Sequence, residues 1–303
     1  MGAGHTHGPP PGHAGGRYRS RLAAAFALVA GFLVVELAAG ILSGSLALIS
    51  DAGHMAADVV ALGAALVATK IATRPDATGR RTYGSYRAEV FASGLTVLIM
   101  LGVSGYVVVE ALARIGAAPE VQSRAIVVVG LAGLAVNLAS MALLRSGSKE
   151  SLNVKGAYYE VVADAAGSVG VIAAGVLVTA TGNGAWDTAV ALAIGVFVAV
   201  RAVVLGRQVL TVLAQHVPEG IDLGEVVSDL EQVPGVSSVH DLHIWTLTSG
   251  MNVATAHLVT TAATSPQLVL TAAQTVLLER HHIAHATLQV EDAPTRQCHE
   301  VGW

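Results

Sequence analysis

Cysteine is nearly missing: the 303 residues hold one, Cys298. That excludes a disulfide framework and any site built from several thiolates of one chain, so a metal bound here meets imidazole and carboxylate. Charge is scarce as well. Asp, Glu, Lys and Arg make up 13% of the residues against 53% hydrophobic, and that charged share is about half of what a soluble domain carries. Such a composition is that of a membrane protein. The formal net charge of −4 is small, and the basic residues flank apolar segments instead of forming a patch, which argues against nucleic acid as a partner. A signal peptide fits poorly, because the apolar run after Arg17, Arg19 and Arg21 is long and no small-residue cleavage site closes it.

What is present is organised around Ser45 to Ala68, SLALISDAGHMAADVVALGAALVA, a stretch apolar enough to cross a bilayer that nevertheless carries Asp51, His54 and Asp58. Ionisable groups in hydrocarbon need a reason. His54 and Asp58 stand four apart, so on a helix they leave one face about one turn from each other, as two ligands of a single ion do. Glu160 and Asp164, in AYYEVVADAAGSVGVIAAG, repeat the spacing on another apolar segment. Together the four can close a tetrahedral shell around a divalent metal. The alternative is two hydrogen-bonded pairs that merely join helices, but each carboxylate at membrane depth costs on the order of 2.5–3.5 kcal/mol even on a lenient scale. Stability alone does not favour three of them. Small residues on the same segments (Gly53, Ala57, Gly63, Ala163, Gly167, Gly170) let two helices approach closely enough to share an ion. Asp51, one turn before His54, can be an acceptor behind the imidazole, a proton-relay group or a helix cap; the first is the role assigned here. Glu36, Glu110 and Asn137 are single, without a partner at helical spacing, and are expected to make interhelical hydrogen bonds or to sit near a cavity.

In chain order, a Gly/Pro/His tail over 1–20 lacks the apolar residues to fold, and its His5, His7 and His13 either bind metal weakly or are simply solvated. Six apolar segments follow, at about Leu22 to Leu42, Leu46 to Thr69, Val90 to Arg114, Ala125 to Leu144, Ala157 to Thr181 and Trp186 to Leu205. Lys and Arg crowd the tail, the second-to-third loop and the fourth-to-fifth loop, whereas the opposite loops hold only Arg114 and Arg124. Both termini are therefore expected on the cytoplasmic side of a multi-pass protein of the plasma (cytoplasmic) membrane. The six-helix membrane domain is expected over 21–210. Beyond it, helix Asp222 to Gln232, strands Val236 to Thr248 and Asn252 to Thr260, helix Gln267 to His281 and strand His285 to Glu291 give an αββαβ domain over 211–293. A short tail over 294–303 includes Cys298 and His299, which either capture a metal or fray.

The runs LISDAGHMAAD, TYGSYRAEVFASG, NVKGAYYEVVADAAGSVGV and GVSSVHDLHIWTLTSG resemble the cation diffusion facilitator family of divalent-metal exporters across nearly the whole chain after the first tail. The resemblance implies six membrane helices, a cytoplasmic C-terminal domain of metallochaperone-like fold, a homodimer, and exchange of cytoplasmic metal for protons. It puts the transport site on His54, Asp58, Glu160 and Asp164, and a cytoplasmic, dimer-tightening metal site on His240, His257 and Glu291, with Gln289 where a stronger ligand could stand. Solvated surface histidines are the alternative there. Glu160 replaces the His of the commonest zinc pattern, as in the cobalt, zinc and cadmium resistance branch.

One imidazole with three carboxylates makes a harder site than two of each, so selectivity should broaden beyond zinc. Zinc is the first expected cargo, with cobalt and cadmium beside it. No catalytic residue is assigned and no enzyme is expected: a metallohydrolase needs an open coordination position, and no nucleophile motif accompanies the spans. A passive divalent-metal channel, a manganese- or iron-selective exporter and a membrane metal sensor are the remaining alternatives. Metal ions, protons, membrane lipid and a second copy of the chain are the expected partners.

Overall fold

The computed structural model describes residues 19–72, 82–83, 85, 87–115, 121–146, 152–248, 250–261 and 264–292. The expectations for His5, His7, His13, Cys298 and His299 lie outside the described residues. The chain divides into two units, Met1–Gly84 with Phe91–Gly206, and Ser85–Val90 with Arg207–Trp303.

The first unit is built from long helices: α1 (Arg19–Ser43), α2 (Leu46–Ala72), α3 (Ala88–Ala113), α4 (Ser123–Leu144), α5 (Leu152–Thr181) and α6 (Ala185–Leu213). No proline falls inside any of them, so each can close its own backbone hydrogen bonds, which a chain surrounded by lipid must do. Among the described residues, stretches of α1, α3, α4, α5 and α6 are long and apolar enough to cross a membrane. The second of the six expected spans, on α2, is not among these five; its side chains are described only as far as Val60 and at Gly63. Several helices also outrun the segments read from hydropathy. α5 begins at Leu152 instead of Ala157, and α6 continues to Leu213 instead of ending near Leu205, because a helix does not stop where its apolar stretch does.

Large apolar side chains such as Val34, Leu42, Leu98 and Val109 face outward, the surface a bilayer would cover. Inward, α4 and α5 pack closely across glycines. A Cβ on Gly175 would lie 2.7 Å from Val127 Cγ2, and one on Gly130 would lie 2.9 Å from Ile172 Cγ1, so neither position has room for a side chain. One end of the bundle is stitched by polar groups. Asp187, fully buried at the start of α6, accepts from the Ser45 hydroxyl (2.5 Å), Leu46 N (2.7 Å) and Ala47 N (3.3 Å). It thereby caps α2, whose N-terminal amides have no partner in their own helix. Arg114, on the turn after α3, donates to Gly44 O (3.0 Å) and pairs with Glu110 (3.0 Å). That pair corrects the expectation for Glu110, which does have a partner at helical spacing, four residues on.

The second unit contains α7 (Leu223–Glu231), β1 (Val236–Thr248), β2 (Met251–Thr260), α8 (Pro266–His281) and β3 (His285–Glu291). Asp222 caps α7 by accepting from Gly224 N and Glu225 N. α8 opens on Pro266 and closes with His282 in the left-handed region, φ 55°. The sheet runs β1-β2-β3, the first pair antiparallel and the second parallel. Val226 and Leu230 of α7, Ile244 and Leu258 of the sheet, and Val269 and Leu277 of α8 share one core, so the sheet carries both helices on one face.

Candidate metal centre

Helical periodicity brings His54 and Asp58 together on α2. Nε2 of His54 lies 3.7 Å from Asp58 Oδ2 and 3.4 Å from Asp164 Oδ1, the latter reaching across from α5. All three residues are buried, and one ligand atom from each lies within 4.8 Å of the other two. Asp58 Oδ2 and Asp164 Oδ1 are buried yet make no hydrogen bond. Two unpartnered carboxylate oxygens around an imidazole nitrogen are costly unless something cationic joins them. An ion with imidazole and carboxylate preferences fits that donor set.

Glu160, one turn before Asp164, is turned elsewhere. Its Oε2 accepts from Arg201 Nη2 at 2.5 Å, while Arg201 Nη1 lies 3.1 Å from His54 Nε2. Three of the four residues expected as ligands therefore converge, and the fourth is tied to a guanidinium from α6. Sequence reasoning missed Arg201 because its partners lie 41 and 147 residues away and no residue at helical spacing flags it. The available signal was a lone arginine inside an apolar stretch. Phe197, one turn earlier on α6, meets the His54 ring edge-on at 6.2 Å and lies 6.0 Å from the guanidinium carbon.

Asp51 is buried but is not the acceptor behind the imidazole, since His54 Nδ1 has no hydrogen-bond partner. Three residues back along a helix turns a side chain by about 60°, enough to send Asp51 to other neighbours. Its carboxyl is within hydrogen-bonding reach of Glu36 on α1, and a Cβ on Gly167 of α5 would meet Asp51 Oδ1 at 2.7 Å. Asn137 makes the interhelical hydrogen bond expected of it, donating to Ser168 Oγ at 3.2 Å.

In the second unit, strand register gathers a different cluster. His240 of β1 pairs with His257 of β2, and His257 pairs with Gln289 of β3, two residues before Glu291; side chains two apart on a strand share a face. His257 Nδ1 lies 3.0 Å and His240 Nε2 3.5 Å from the Glu291 carboxylate. His240 Nε2 is a buried atom without a hydrogen bond, and the three ligand atoms lie within 4.8 Å of one another. Gln289 donates to Glu291 Oε1 at 2.6 Å, so it orients the carboxylate. A bulge at Asp241, φ 55°, brings that carboxylate to 3.8 Å from His257 Nε2.

Comparison with known proteins bears on both units. Residues 22–214 match the cation efflux transmembrane domain and residues 218–293 the cation efflux protein cytoplasmic domain. The chain is 45% identical to the metal cation efflux system protein CzcD of Cupriavidus metallidurans, over 98% of this chain and 92% of the relative. It is 34% identical to a cadmium, cobalt and zinc/H(+)-K(+) antiporter of Bacillus velezensis, over 96% of this chain and 92% of that one. With the zinc transporter ZitB of Escherichia coli it shares 34% identity over 92% of this chain and 88% of the relative. The chain belongs to the cation efflux, or cation diffusion facilitator, family.

Proposed function

We propose that this multi-pass membrane protein exports divalent metal, zinc first with cobalt and cadmium beside it, by exchanging the ion for protons. The observation that carries the reading is the buried trio His54, Asp58 and Asp164, whose ligand atoms lie within 4.8 Å of one another. The names of the relatives support the cargo and the coupling. Six spans, with α2 as the second, cytoplasmic termini and a homodimer complete the proposal. Domain limits at 1–20, 21–210, 211–293 and 294–303 follow from it.

The chemistry is linkage. Metal requires a neutral imidazole and ionised carboxylates, so protons and metal compete for the same groups. Facing the cytoplasm near neutral pH, the site favours metal. Facing a proton-rich exterior, His54 and the carboxylates take protons and the ion leaves; alternating access between these two states makes the exchange directional. Glu160 serves as the fourth ligand once its carboxylate turns from Arg201. Asp51 with Glu36 beside it forms a proton relay. In the cytoplasmic domain, His240, His257 and Glu291 would hold a regulatory divalent ion, which supplies charge neutralisation between three strands.

Uptake into everted vesicles with zinc, cobalt, cadmium or manganese, each with and without an imposed proton gradient, tests this. Metal-dependent proton flux and gradient-dependent zinc uptake are expected. Uptake indifferent to the gradient would point to a passive channel, and binding without uptake to a sensor.

A further inference from the structure

Arg201 is not one of the four expected ligands, yet it touches two of them. Its guanidinium contacts His54 Nε2 at 3.1 Å and Glu160 Oε2 at 2.5 Å. The remaining chemistry is restrictive. A neutral imidazole nitrogen has a single lone pair, and His54 Nε2 is the atom that faces Asp58 and Asp164. That lone pair cannot accept from Arg201 and bind a metal at the same time. Glu160 Oε2 is less constrained, since a carboxylate oxygen has two lone pairs, but a metal arriving there meets the positive charge of the guanidinium already bonded to it. Arginine keeps its charge under all conditions a membrane experiences, so protonation cannot remove it; only movement can. Room for movement exists, since the Arg201 and Glu160 side chains retain 27% and 41% of their exposure whereas His54 and Asp164 retain 3% each.

We propose that Arg201 is a tethered counter-cation of the transport site, one that occupies His54 and Glu160 in the metal-free site facing the cytoplasm and that the arriving divalent ion displaces. The inference rests on the transport reading above and adds a competitor built into the chain. In the metal-free site facing the cytoplasm the guanidinium offsets the Glu160 charge and occupies the His54 lone pair; swung aside, it releases both as ligands. Arg201 therefore weakens metal binding and speeds release. It is a positioning residue acting through two ligands, not a ligand itself.

The test uses full-length protein in nanodiscs and proteoliposomes. Zinc affinity is read by competition with a chromogenic chelator, and zinc flux is read in parallel, for wild type, Arg201→Gln and Arg201→Lys. A charge-assisted hydrogen bond that metal no longer has to break shifts affinity by about tenfold or more. Arg201→Gln is therefore expected to bind zinc about tenfold tighter with a lower maximal flux, while Arg201→Lys, which keeps the charge but lacks the two-nitrogen fork that holds His54 and Glu160, falls between wild type and Arg201→Gln. A merely structural arginine would give weaker binding in both variants, and that result, or unchanged affinity in Arg201→Gln, overturns the inference. A second readout needs no variant: phenylglyoxal labelling of Arg201 in wild type, followed by peptide mass spectrometry, should accelerate severalfold on adding zinc, and labelling that is unchanged or slower refutes the displacement. Wild type that binds zinc but transports none would defeat the export reading alone, because affinity and labelling still report on Arg201.

Discussion

Replacing Asp164 by Asn should move metal binding and stability in opposite directions. Asp164 is 3% exposed, and its Oδ1 lies 3.4 Å from His54 Nε2 without any hydrogen bond. The amide keeps the size and removes the charge. Outer partners of metal ligands are worth 10–100-fold in affinity, so loss of a ligand should cost at least about 100-fold, or about 2.8 kcal/mol. Folding should respond the other way. A buried unpartnered acceptor costs about 1–3 kcal/mol, and the Asn Nδ2 can donate to the unpartnered Asp58 Oδ2 nearby, relieving part of that. Chelator competition on the purified protein measures the first quantity, and thermal unfolding in metal-free detergent solution measures the second. Loss of the zinc equivalent held at the His54 centre, with the cytoplasmic equivalent retained and an equal or higher unfolding temperature, is the expected outcome. Wild-type affinity, or joint loss of affinity and stability, would show that Asp164 is a structural contact.

Asp187→Ala should lower stability by about 1–3 kcal/mol, since it strips the cap from α2; Asp187→Asn, which retains an acceptor oxygen, should lose less in the same thermal assay. Gly175→Ala should destabilise the α4–α5 contact by about 1–3 kcal/mol, because the added carbon meets Val127. Gly102→Ala, with nothing within 4 Å, is the control expected to be neutral or slightly stabilising. Glu291→Gln should remove one equivalent of zinc per chain in equilibrium dialysis and leave the His54 centre loaded; an unchanged count would show that His240, His257 and Glu291 hold no metal.

How much of this was legible in the sequence depends on distance along the chain. His54 and Asp58 are four apart on one helix, and helical periodicity alone predicts their meeting. The strands of the second unit were legible for a similar reason, since alternation marks β1 and β2 and Gly250 stands between them. That Asp164 faces His54 required the long-range packing of α2 on α5, which spacing suggests but does not dictate. Arg201 and Asp187 were opaque. Each acts on residues more than 40 positions away, and each looks like an isolated charge until α6 is laid against α2 and α5. Asp51 was misjudged because nearness along the helix was read as contact, whereas rotation about the axis aims it at Glu36 and Gly167. Glu110 was misjudged in the opposite sense, its partner Arg114 having been counted as part of a loop.

Zinc K-edge X-ray absorption on full-length protein carrying His240→Ala and His257→Ala reads the ligands of the ion held between α2 and α5. One imidazole nitrogen and three oxygens at about 2.0–2.2 Å from the metal are expected. Two or more imidazoles around the ion, or no zinc retained once the cytoplasmic histidines are gone, would contradict it.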